Sequence, residues 1–544
     1  MEKKQLYSQN SVFSPIVDDE TAISKMAGDI KWQEPGLTDY CIIMMYGQSL
    51  SIGTPTPACF KFEPAENLFT PQYGVWTEQD PTVTSLVPIG SNMRELSDIA
   101  YSSREQPLIS AANSFVNLYH REFPNDRKTK FIVVSLGKGG KTLPKLSTEE
   151  RYPWVDEHFF DTRVKPCLSS LKDIADNEGK TISLFSMFWL QGESDYSGSS
   201  INMTYEEWLS QHLSAFKSSI DGYYHGLKYL KEDLQDYVEV LFGQENKFLM
   251  VTYMTGGKWI GNIKNSIGTA QLMLADDDED VIMAAPDYQV PELRDGHLSM
   301  NGYRWYGEYL AKALFCAAIK KQDWQPLKPI GFEVAGNIIT ITFNKQRLQF
   351  DTYLTKLVPD YGFYVRQGTA SNLDTPVADY NDDPYNVNII SVVANGNKVV
   401  ITCASELNAA CVDITYATMR YDDKNLCGSG NLRDSDRWLA YNTYGDDKGD
   451  HGNMHSGWTF VFEDEKSSAV DYVDGTAYNL GDIVRMPGMA ADGYSYYKST
   501  KNNNTTYPRD EVDYRPTDSS GNPIVDKAYP MQNWCVNFYK RILN

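Results

Sequence analysis

Five uninterrupted apolar runs of strand length, each separated from the next by a segment of helical periodicity, constrain this chain more than any other feature. The runs are Tyr40 to Tyr46 (YCIIMMY), Lys130 to Leu136 (KFIVVSL), Thr181 to Leu190 (TISLFSMFWL), Phe248 to Tyr253 (FLMVTY) and Val281 to Ala285 (VIMAA). Apolar side chains on most positions, without alternation, mean a strand covered on both faces, as in a parallel sheet sandwiched between helices. Helical periodicity fills Pro107 to Phe123, Phe160 to Asn177, Tyr205 to Asp236, Ile263 to Ala275 and Asn301 to Lys320. Residues 38–325 are therefore expected to form one doubly wound parallel α/β domain, after an arm, 1–37, with little periodicity.

The pattern changes beyond Pro329. Short alternating runs follow: Phe332 to Phe343 broken at Gly336-Asn337, Gly362 to Val365, Val387 to Val393, Lys398 to Cys403 preceded by Gly396-Asn397, and Ala410 to Tyr416. This spacing predicts an all-β accessory domain over 326–435, built as a small sandwich. A connector rich in Gly, Asp and Asn spans 436–469, and 470–544, dense in Tyr, Gly, Asn and Pro, reads as a separate small β module.

Charge removes one class of function. Among 544 residues, 72 Asp and Glu against 50 Lys and Arg leave a net charge of −22, whereas phosphate recognition needs a cationic surplus. Nucleic acid is thus not an expected partner. No apolar run reaches the ~20 residues that span a bilayer, so membrane insertion is not expected either. The first 25 residues carry Lys3 and Lys4 but no apolar core of a signal peptide, which points to a cytoplasmic protein, one exported by another route, or a virion tail or host-surface protein. Eight scattered cysteines without a CxxC pair read as reduced core residues.

Four segments lie just past the carboxyl ends of expected strands: Gly47-Gln48-Ser49, Gly137 to Thr142 (GKGGKT), Gln191 to Asp195 (QGESD) and Asp295-Gly296-His297. A parallel sheet gathers such segments along one edge. A serine, a histidine and a carboxylate brought together there have the chemistry of nucleophile, base and orienting acid. Backbone N–H groups at Ser49 and Gly140, with the Gln191 side chain, are suited to a developing oxyanion.

In this order, GQS, a Gly-Gly turn, WLQGESD and DGHLS resemble the blocks of the SGNH (GDSL-like) hydrolase superfamily, and more closely those of its sialate O-acetylesterase-like carbohydrate esterases, over residues 38–322. The resemblance implies ester hydrolysis through an acyl-enzyme without metal or organic cofactor, usually removing acetyl groups from sugars. It places the nucleophile at Ser49, the remaining triad at His297 and Asp295, and the oxyanion hole at Ser49, Gly140 (with Gly139 as the near alternative) and Gln191. Gln48, Glu193 and Asp195 are candidate substrate contacts. One departure stands out: the superfamily usually places its acid three residues before the histidine, and Asp295 is two before His297. Gly296 permits a tight turn there, and Asp287 and Glu292 are alternative orienters.

Two other patterns fail. His451 and His455 have a zinc-like i, i+4 spacing, but Gly452 and Gly457 disfavour a helix and no third ligand is evident. GKGGKT lacks the Walker spacing, because Ser135 stands where the first glycine is required.

In the terminal module, AYNLGDIV from Ala477, YSYYKS from Tyr494, the Asn run at 502–504, Pro508 and Asn533-Trp534 resemble the small chitin-binding-type carbohydrate-binding modules. That resemblance implies sugar contact at Tyr497 and Trp534. The expected partner is therefore an acetylated glycan, such as a bacterial surface polysaccharide. The competing reading is a non-catalytic glycan-binding adhesin or virion tail structural protein on an esterase scaffold. A lipid ester is disfavoured because no apolar lid is apparent, and a homo-oligomer is compatible with the layout.

Overall fold

The computed structural model describes residues 32–53, 64–77, 80–89, 105–196, 198, 200–260, 262–290, 296–351, 354–374, 383–421, 426–443, 458–459, 463–487, 494–499, 502–505 and 528–543. Glu292, Asp295, His451, His455 and residues 1–31 of the arm lie outside them.

All five apolar runs are strands of one sheet: β1 (Tyr40–Gly47), β4 (Lys130–Ser135), β5 (Ile182–Leu190), β6 (Leu249–Met254) and β7 (Val281–Pro286). Two short strands, β2 (Leu68–Pro71) and β3 (Leu86–Pro88), extend it at one edge, in the order β3-β2-β4-β1-β5-β6-β7. Every pairing is parallel except that of β2 with β3. The helices are α1 (Pro107–Glu122), α2 (Lys165–Asn177), α3 (Ile220–Phe242), α4 (Ser266–Asp277) and α5 (Met300–Leu314). Side chains of β1 divide by parity, as strand geometry requires. Cys41, Ile43 and Met45 enter the core layer of α1 and α5, while Tyr40, Ile42, Met44 and Tyr46 enter that of α2, α3 and α4. β4 lies on one side of β1 and β5 on the other, so the carboxyl ends of these three strands meet at the topological switch point where open α/β sheets place their ligands.

One expected helix is broken. Tyr205 to Asp236 resolves into Tyr205–Ser210 and α3, because Phe216 N–H donates to Asp195 Oδ1 at 2.8 Å and Ser218 N–H to the Asp195 carbonyl at 2.7 Å. These tertiary bonds hold Lys217 and Ser218 at positive φ, which no helix tolerates.

Residues 326–435 contain the expected hairpins. β8 (Pro329–Ala335) and β9 (Ile338–Phe343) turn at Gly336, and Ile389–Asn395 and Lys398–Cys403 turn at Gly396, both glycines having positive φ. These four strands form one sheet. A second sheet pairs Phe363–Gly368 with Cys411–Tyr416, and its third strand is Phe538–Leu543. Phe538 packs edge-on against Phe332 and stacks with Tyr416, joining the two sheets.

The expected terminal module therefore does not run as one unit to residue 544. Ile483–Pro487 and Tyr494–Ser499 make a small sheet, but residues 528–543 return to the body of the protein. Tyr529 stacks on Trp305 of α5 with ring centroids 5.6 Å apart. Lys312 Nζ donates to Met531 O at 2.6 Å and lies 2.7 Å from Asp436 Oδ2. Tyr288 O–H donates to Cys535 O at 2.6 Å. Apolar side chains of α5, both sandwich sheets and this strap share one continuous core.

Trp534, at 1% exposure, lies in that core, edge-on to Tyr288 at 6.4 Å. Tyr497, at 2%, fills the small sheet's own core with Tyr478 and Val484. Neither ring offers a face to a sugar, which corrects both expected contacts. Trp534→Ala is predicted to cost about 3–5 kcal/mol through its cavity. Urea denaturation checks this; a loss below about 1 kcal/mol, as for an exposed ring, contradicts the burial.

Candidate active site

The turn after β1 is locked by close backbone approach. Gly47 has φ +145, and a Cβ there would lie 2.0 Å from Leu190 O, so only glycine lets β1 and β5 come this near at their ends. Gln48 N–H donates to Leu190 O at 2.9 Å, and Lys138 N–H to Gly47 O at 3.0 Å. Ser51 Oγ donates to Gln48 O at 2.6 Å, while Gly137 packs so tightly on Ser51 that a Cβ would sit 2.0 Å from its Oγ. Three adjacent strand ends thus hold one short helical turn, Ser49–Ile52, with Ser49 at its first position.

His297 reaches the same point from the far side of the sheet, after β7. Its Nε2 lies 2.9 Å from Ser49 Oγ. His297 precedes α5 rather than opening it: the helix starts at Met300, and Ser299 Oγ caps it by accepting from Gly302 N–H at 3.0 Å. The imidazole is half-buried and Ser49 is 9% exposed, so the pair lies past the strand ends with part of its surface in solvent.

The QGESD turn holds the neighbouring turns in place. Asp195, fully buried, accepts from Leu143 N–H at 2.9 Å, Phe216 N–H at 2.8 Å and Gln191 Nε2 at 2.7 Å. Burial outweighs these three donors and pushes its carboxyl up to about 6. Gln191 Nε2 also donates to Lys141 O at 3.1 Å, so both amide hydrogens are taken, and its Oε1 accepts from Tyr223 O–H at 2.8 Å. These bonds correct two expectations: Asp195 has no surface to present to a substrate, and Gln191 braces the Gly-Gly turn instead of aiming a hydrogen at an oxyanion. Gln48 is held at its carbonyl end. It is buried, with Oε1 accepting from Ser194 N–H at 3.3 Å.

Glu193 is a buried carboxylate hydrogen-bonded to Tyr253 O–H. Burial raises its pKa, while the Tyr253 hydrogen bond and the nearby His297 pull it back. Its exposure, 9%, equals that of Ser49, and it lies near enough to His297 to contribute to the electrostatic surroundings of the imidazole. Asp287, also buried, lies beside Gly256.

On the Gly-Gly turn the nearer residue to Ser49 is Gly139. A Cβ there would lie 3.9 Å from Ser49 Cβ, whereas one on Gly140 would meet nothing within 4 Å. Among the described residues, no acceptor is present for the N–H groups of Ser49, Gly139 or Gly140. Sequence reasoning missed two residues that stand beside the site. Tyr253, at the end of β6, was hidden inside a continuous apolar run. Trp259 follows Gly256-Gly257, a glycine turn past a strand end of the same type as the four segments singled out above.

No protein-family model matches the chain, and no curated protein matches it. Solved structures similar in fold include a carbohydrate acetylesterase from Xanthomonas citri, with 11% identity, 72% of this chain and 77% of that one covered, and a TM-score of 0.43. A protein from Arabidopsis thaliana is 13% identical, with 52% and 100% covered and a TM-score of 0.35. The aryl esterase of M. smegmatis is 9% identical, with 50% and 95% covered and a TM-score of 0.24. Among the described residues, no helix is long and apolar enough to cross a membrane.

Asp195 links this site to pH. Its folded pKa is raised from 3.8 to about 6, so its contribution to stability is complete below about pH 4 and is lost as pH rises through about 6. Relative to Asp195→Asn, whose loss of acceptors is a constant offset, the wild type is predicted to be favoured by on the order of 2 kcal/mol more at pH 4 than at pH 7. Chemical denaturation of both proteins at the two pH values checks this; a difference unchanged between them contradicts it.

Proposed function

We propose that this protein is a serine esterase that removes acetyl groups from a carbohydrate. The observation that carries the reading is the 2.9 Å contact between Ser49 Oγ and His297 Nε2 past the carboxyl ends of the strands. In the proposed reaction Ser49 Oγ attacks the acetyl carbonyl as His297 Nε2 takes its proton. The N–H groups of Ser49 and Gly139, which lack acceptors among the described residues, stabilise the oxyanion, with Gly140 N–H as the adjacent donor. The tetrahedral intermediate collapses, and His297 returns the proton to the departing sugar hydroxyl. Water, deprotonated by His297, then releases acetate and restores Ser49. Asp295 is the proposed orienter of the imidazole, and Glu193 supplies further negative potential when ionised. This chemistry uses no metal or organic cofactor.

The neutral glycan is supported by the net charge of −22, which disfavours a polyanion. Ser49→Ala and His297→Ala are each predicted to lower acetate release from glucose pentaacetate by at least about 10³-fold with the thermal unfolding midpoint preserved. Wild-type turnover in either variant contradicts the proposal. Saturable glycan binding by a wild type that releases no acetate favours the adhesin reading instead.

A further inference from the structure

The sequence suggested two aromatic rings for sugar contact, and both are core residues. Another tryptophan occupies the position such a contact requires. Trp259 stands on the short turn Gly257–Trp259, just past the carboxyl end of β6 and therefore on the sheet edge that holds Ser49. It is 43% exposed, and no other tryptophan or phenylalanine stands among the exposed large apolar side chains of the described residues. An indole left in water at a buried site's rim forgoes the burial that rings of this size normally gain.

Its placement relative to the catalytic row is set by Gly296. That residue has φ +86, and a Cβ on it would lie 2.2 Å from Trp259 Nε1 and 2.8 Å from Cδ1. The indole thus lies against the backbone immediately before His297, whose Nε2 meets Ser49. From the other side the turn is fixed by the accessory domain. Gly257 N–H donates to Gly428 O at 3.2 Å, and Gly428, at φ +59, packs so closely that a Cβ would be 2.4 Å from Gly257 O. The ring is consequently held on two sides by backbone contacts that only glycines allow.

We propose that Trp259 is the stacking platform for the sugar ring that carries the scissile acetyl group, and that the accessory domain serves catalysis by fixing this platform. The ligand class is a pyranose, whose C–H face an indole covers without any charge. The proposal rests on the esterase reading above, and its test separates the two.

Steady-state kinetics of the full-length wild type, Trp259→Phe and Trp259→Ala are measured with two probes, glucose pentaacetate and ethyl acetate. Ethyl acetate reports the Ser49–His297 row without a ring to stack, and glucose pentaacetate reports the row and the platform together. The ratio of kcat/KM for the sugar ester to that for ethyl acetate is expected to fall by about tenfold in Trp259→Ala, mainly through KM, and by less than about threefold in Trp259→Phe, which keeps a ring. Equal losses on both probes in Trp259→Ala overturn the platform and leave the esterase reading standing, as does a ratio unchanged from wild type. Failure of the wild type to hydrolyse either probe in a Ser49-dependent manner overturns the esterase reading and the platform with it.

Discussion

The carboxylate of Asp195 is the constraint on which the site depends. It has no contact with solvent, yet it gathers Leu143 N–H, Phe216 N–H and the Gln191 amide from three separate segments. Through Gln191 it reaches Lys141 O and so holds the turn that faces Ser49. An interior acceptor of this kind is costly to bury and more costly to leave unpaired, so three loops that would otherwise vary independently are fixed together. The same bonds interrupt the helical run after Tyr205. The break in secondary structure and the order of the site have one cause.

Around that knot the sheet edge is made by glycines used for proximity. Gly47 lets β1 and β5 touch, Gly137 packs on Ser51, and Gly296 admits the Trp259 indole. Each removes a side chain where two elements must come within contact distance. The accessory domain continues this logic from outside, since the 528–543 strap adds a strand to one sandwich sheet and stacks Tyr529 on α5. The α5 side of the parallel sheet and the two antiparallel sheets thereby share one core, so the sandwich is packed onto the parallel-sheet body.

How far the sequence discloses this depends on the range of the interactions. The five parallel strands are legible because burial on both faces leaves a local signature, and the accessory hairpins because Gly336 and Gly396 mark the turns. Ser49 and His297 are legible as residue types past strand ends, and their meeting follows from topology. Contacts set by distant partners are not legible. Nothing near Gln191 announces that Asp195 and Lys141 O take its hydrogens, and nothing near Trp534 shows that the chain returns to pair with Cys411–Tyr416. The tyrosine-rich tail suggests a binding face, but a very small sheet uses such rings to fill its own interior, as Tyr478 and Tyr497 do.

The central claim is that Ser49 is a nucleophile activated by His297. Intact-protein and peptide mass spectrometry after exposure to a fluorophosphonate tests it most directly. One adduct per chain is expected, on Ser49, forming at least about 10²-fold more slowly in His297→Ala. An unlabelled wild type, or labelling of Ser49 at the same rate without His297, would contradict it.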